Sequence, residues 1–180
     1  GLGCGEIFPP ICQEISRLAQ KRGLPLLFGG DSSSSPAVRA QRAIELARQF
    51  VEQGVSGVIF HPMEFYADAA HYNKAIVSVF EKAGVPVVLL DCDIVPSPAR
   101  SKCDIVGINN FEVGRCLALH LREQGAKRIR FLTKPLCAIT VQDRIRGAQT
   151  VIGCQSEKEF VVVAEPTDEK AIRLATKGRK

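Results

Sequence analysis

No two of the seven cysteines stand at C-x-x-C spacing, and their number is odd. That pattern argues against both a zinc cluster and a disulfide framework, so a reduced, cytoplasmic home is expected and no metal. There is no dense basic block and no interleaving of basic with aromatic residues. The net charge of +5 and pI near 8.9 come from Lys and Arg spread along the chain among Glu. Such charge reads as a solvated surface rather than a DNA-binding face of this segment. The first residues, GLGCGEIFPP, have neither a basic start nor a long apolar core, and no initiating Met stands there. No signal peptide and no membrane association are expected, and the chain reads as a piece of something longer. Two partial motifs also fail. GLGCGE has Glu6 where a dinucleotide fingerprint needs its last Gly, and GDSS around Asp31 has no matched His for an esterase. No cofactor and no enzymatic activity are expected.

What is present is an ordinary globular composition, 46% hydrophobic and 24% charged over 180 residues, enough for one good core or two small ones. The most telling stretch is GVPVVLLDCD, Gly84 to Asp93. Its unbroken apolar run, Val87 to Leu90, is what a strand buried on both faces of a parallel sheet looks like. Ligands of such sheets bind beyond the carboxyl ends of the strands, which puts Asp91 and Asp93 where recognition would occur, unless Asp91 only caps a loop.

Four segments end alike, at Gly23, Gly54, Gly84 and Gly125, each after helix-period apolar positions and each soon followed by a short apolar run. Gly just past a helix is the left-handed C-cap, so the pattern predicts repeated βα units. The first helix is expected to start at Pro9-Pro10 and to bury Ile11, Ile15, Leu18 and Ala19. A strand over Leu24–Phe28 follows. The loop GGDSSSS leads into a helix from Ser35-Pro36 to about Gln53, with Ala43, Leu46, Ala47 and Phe50 inward. Further strands are expected over Val55–Phe60, Asp104–Ile108, Arg128–Thr133 and Phe160–Ala164. Helices are expected over Ala67–Ala83, with Ile76, Val79 and Phe80 inward, then from Asn109-Asn110 to Gln124, from Val141 to Ile152, and from about Thr167. Repeated βα units with short loops predict a parallel sheet with right-handed crossovers and helices on both faces. The first helix lacks a preceding strand to cover and the last has none to return to, so a strand before Gly1 and substantial chain after Lys180 are expected.

In GEIFPPICQEI, QGVSGVIFHP, GVPVVLLDCDI, DIVGINNFEVGRCLALHL, GAKRIRFLT and TVQDRIRG, in that order and spacing, the chain resembles the effector-binding domain of the lactose/galactose repressor family. The resemblance covers essentially all 180 residues. It implies an α/β fold of two Rossmann-like parallel-sheet subdomains, the type I periplasmic-binding-protein-like fold, with ligand clamped between them. Residues 1–108 would be most of the N-terminal subdomain and 109–180 the beginning of the C-terminal one. The implied function is effector binding and dimerisation in a bacterial transcription regulator. Its partners would be a small sugar-like effector, a second copy, and operator DNA reached through a domain outside this chain. The alternative is a periplasmic solute-binding protein of a sugar transporter, which the cysteines disfavour.

The resemblance also nominates site residues. Phe8 matches the family's second aromatic at the start of the first helix, although core packing would suit a lone Phe there equally. Asp91 matches its strand-end carboxylate. Arg144, three residues before Gly147, matches the Arg that reaches ligand oxygens from the second subdomain, and its five-donor fork suits vicinal hydroxyls or a carboxylate. Asp91 and Arg144 would then face one another from opposite subdomains. Asn109 stands in the crossover pair where the family has Asp-Asn, so a charge is lost. Cys92 stands where many members have Arg, which removes a bidentate donor. Between Ile152 and Gly153 the family has a few more helical residues; either the helix is short or residues are absent. Two further candidates come from position alone. His61, closing a strand, is a cleft or a loop residue, and Asp31 at another strand end reads as solvated loop.

Overall fold

Parallel pairing organises both sheets of the computed structural model, which describes residues 7–30, 35–64, 68–153, 160–165 and 168–176. Helices α1 (Phe8–Lys21), α2 (Pro36–Glu52) and α3 (Ala69–Lys82) accompany strands β1 (Val58–Phe60), β2 (Val87–Leu90) and β3 (Asp104–Val106). Then come α4 (Asn110–Glu123), β4 (Phe131–Thr133), α5 (Ile139–Ile152), β5 (Val161–Val163) and α6 (Glu169–Thr176). The first sheet has the order β1-β2-β3 and the second pairs β4 with β5, all parallel. Among the described residues no helix is long and apolar enough to cross a membrane.

The helix ends follow from the glycines. Gly23, Gly54, Gly84 and Gly125 take φ of 65°, 70°, 70° and 85°, a region where a Cβ is strained. Just beyond each, the amide of Leu24, Val55, Val85 or Ala126 donates to a carbonyl in the last turn, at Ala19, Phe50, Phe80 or Leu121. This is the bonding that closes a helix on a left-handed residue and turns the chain towards its next strand.

Contacts divide the chain into two compact units. The first comprises Gly1–Leu90 with Ser101–Val106, the second Asp91–Arg100 with Gly107–Lys180. In the first, β2 is the central strand, and Leu89 is 0% exposed. Ala40 and Ala47 of α2, and Ile76, Val77 and Phe80 of α3, supply the rest of its buried core, with α2 packed on α3. Ala43, Leu46, Phe50 and Val79 are half-buried. Of the stripe expected on α1 only Ala19 is buried; Ile11 and Ile15 are half-buried and Leu18 lies exposed.

Leu24–Phe28 is not a strand: it has no ladder partner among the described residues, and Phe28 is 59% exposed. Hydrogen-bonded pairing, not the apolarity of a run, makes a strand, and among the described residues no neighbour supplies it. The second unit's core joins Ala118, Ile129, Ile145, Ala148, Ile152 and Phe160, with the Phe131 and Phe160 rings edge to face at 6.2 Å. The loop Asp91–Arg100 belongs to it. Arg146 of α5 donates to the Ser97 carbonyl, and Cys92, Asp93 and Ile94 are buried.

Candidate functional site

In the first unit, Phe8 opens α1 and His61 follows β1. Their rings meet edge to face, centroids 4.2 Å apart and planes at 65°. Both are half-buried, so a flat apolar ring stands over an imidazole at a strand end. The loop that carries His61 is tied down by Asn73 of α3, which is 1% exposed. Its Oδ1 accepts from the Met63 amide at 2.8 Å and its Nδ2 donates to the Met63 carbonyl at 2.9 Å. A buried amide satisfied at both ends in this way fixes the backbone it grips.

In the second unit, Asp91 takes a left-handed backbone, φ 72°, the first residue beyond β2. Asp tolerates that conformation better than most residues. A Cβ on Gly107 would meet the Asp91 Cα and carbonyl oxygen at 3.0 Å, so the two chain segments approach backbone to backbone. Asp93 is 8% exposed; its carboxylate accepts from the Val95 amide at 3.3 Å and pairs with Arg100 at 3.3 Å.

Asn109 and Asn110 divide the start of α4 between them. Asn109, exposed, accepts from the Glu112 amide at 3.1 Å and is the helix N-cap. Asn110 is 5% exposed and turns inward: its Nδ2 donates to the Ile108 carbonyl at 3.3 Å, and its Oδ1 accepts from Arg144 Nε at 2.7 Å. What brings Arg144 there is a glycine crossing of α4 and α5. A Cβ on Gly114 would lie 1.9 Å from the Arg144 carbonyl oxygen, and one on Gly147 would lie 1.8 Å from that of Phe111. Only glycines allow the two backbones so close. Half-buried, Arg144 keeps its two terminal nitrogens beyond the bond to Asn110, and among the described residues no carboxylate pairs with it.

Of the residues nominated from sequence, Phe8 and His61 meet in the first unit. In the second, Arg144 meets Asn110, and Asn109 caps α4. Asp31, Glu6 and the cluster around GDSS lie outside the described residues. Asn73 and Asn110 were missed. Asn73 interrupts the apolar positions Ile76, Val77 and Phe80 at helical spacing, and a polar residue on a buried stripe is the signal that would have found it. Asn110 sits four residues before Gly114 and eight before Ala118, on the small-residue face of α4.

Solved structures with this fold include a LacI family transcriptional regulator from Silicibacter pomeroyi, 16% identical over 93% of this chain and 57% of that one, with a TM-score of 0.65. Another is the transcriptional regulator CelR in its cellobiose complex, 20% identical over 89% of this chain and 45% of that one, TM-score 0.64. A third is a glucose-galactose binding protein from Geobacillus stearothermophilus, 18% identical over 86% and 50%, TM-score 0.58. The chain spans about half the length of the solved structures it matches. No family model and no curated protein sequence matches it. The α/β architecture with parallel sheets is that of the type I periplasmic-binding-protein-like fold.

Proposed function

We propose that the chain is part of the effector-binding domain of a transcription regulator, taking a small sugar-like molecule and catalysing nothing. The observation that carries this reading is Arg144: a guanidinium held by a buried amide at Nε, on a glycine-set helix crossing, in a fold shared by regulators and sugar-binding proteins. Such a fork binds ligand oxygens in a defined direction. Seven cysteines with no C-x-x-C pair favour a reducing, cytoplasmic setting and hence a regulator over a periplasmic carrier. DNA would be read by a domain outside this chain, its affinity altered by effector through a population shift.

Calorimetry on the full chain tests the site. Arg144→Ala should remove charge-assisted hydrogen bonds worth about 1.5 to 3 kcal/mol, weakening effector binding roughly ten- to a hundredfold. Asp91→Asn, which exchanges an acceptor for a donor at nearly constant shape, should act in the same direction. Effector-free DNA binding should hardly change in either variant. Parent-like affinity in both would remove the site from these residues. Sugar binding that never alters operator binding would favour the transport reading instead.

A further inference from the structure

Four arginines of the second unit meet carboxylates: Arg100 with Asp93, Arg115 with Glu112 at 2.7 Å, Arg146 with Asp143, and Arg173 with Glu169 at 3.5 Å. Arg144, one residue from Asp143 and two from Arg146, meets a neutral amide instead. The amide has no freedom to change roles. Asn110 is buried, and its Nδ2 is committed to the Ile108 carbonyl, so Oδ1 is the atom left to face Arg144. An amide oxygen orients a guanidinium without cancelling its charge. A half-buried cation with no carboxylate partner among the described residues is costly, and an anion arriving from outside relieves that cost in a way a neutral hydroxyl does not. The bond to Nε leaves the two terminal nitrogens pointing as a pair, a spacing that matches two oxygens of one carboxylate or phosphate.

Building on the sugar-effector reading of this site, we propose that the effector is anionic, a sugar carrying a carboxylate or phosphate taken by the terminal nitrogens of Arg144, and that Asn110 is the positioning residue that holds Nε. The neutral partner is the device that keeps the charge available. An aspartate at 110 would accept the same hydrogen bond and neutralise the guanidinium before any ligand arrived.

The test is calorimetry on the full chain with neutral hexoses and pentoses, each beside its uronic or aldonic acid and its phosphate ester. At least one acid or ester should bind about tenfold or more tightly than its neutral parent, and which of the two does so distinguishes carboxylate from phosphate. In Asn110→Asp that preference should vanish. Should the buried substitution unfold the protein, as a thermal melt would reveal, Arg144→Gln on the half-buried side chain should abolish the same preference. A parent protein that binds a neutral sugar as tightly as its acid and its ester overturns the anionic effector and leaves the sugar-binding reading standing. Failure of every sugar, neutral or charged, to bind overturns both.

Discussion

Asn109 and Asn110 are neighbours with the same side chain, yet one faces water and caps α4 while the other is buried and holds Arg144. Consecutive residues at a helix start differ by roughly 100° around the axis, so identical chemistry meets different surroundings. The consequence is testable. Asn109→Ala should lower stability by about 1 kcal/mol in a denaturant titration, the usual cost of a lost N-cap, and leave effector affinity at the parent value. A drop in affinity comparable to that of Arg144→Ala would make Asn109 a ligand contact after all. Neither role can be told from the other in the string Ile-Asn-Asn-Phe. The family resemblance marked the pair, and only packing separated its members.

Helix α4 is where periodicity and packing part company. Of its large apolar residues Phe111, Leu117 and Leu121 are exposed and Val113 and Leu119 only half-buried, whereas its buried positions are Asn110, Gly114 and Ala118, at four-residue spacing. The small face is buried because it meets α5 at backbone distance, and that contact sets where Arg144 stands. Gly147→Ala makes the point quantitatively. Helix propensity alone would favour Ala by about 1 kcal/mol. A methyl driven to 1.8 Å from the Phe111 carbonyl oxygen forces the helices apart, and overpacking of this kind costs about 1 to 3 kcal/mol or more. The variant should therefore melt below the parent and also bind effector more weakly. A variant at least as stable as the parent would show that the crossing has slack. Strand β2 is the opposite case, since its apolar run and its burial coincide.

For the whole molecule the proposal of a regulator carries a requirement of symmetry. Operators read by such proteins are pseudo-palindromic, so the protein that binds them has to present two-fold related copies. Light scattering on the full chain at micromolar concentration should give the mass of two copies; a single-copy mass would count against the regulator reading. Much of the design was legible beforehand. The four glycines announced where helices end, because the left-handed backbone that turns the chain there excludes most other residues. Val87–Leu90 announced a central parallel strand, because only burial on both faces tolerates four apolar residues in a row. These are local constraints, written in residue type and spacing. What the tertiary structure alone decided depends on partners distant in sequence. Leu24–Phe28 is no strand because a strand exists only when another lies beside it, and none does among the described residues. Asn73 and Met63, ten residues apart, and Asn110 and Arg144, thirty-four apart, find each other only once helices have packed. Hydrogen bonds of that span have no periodicity to betray them, since their geometry is set by the approach of whole elements rather than by the residues along any one of them.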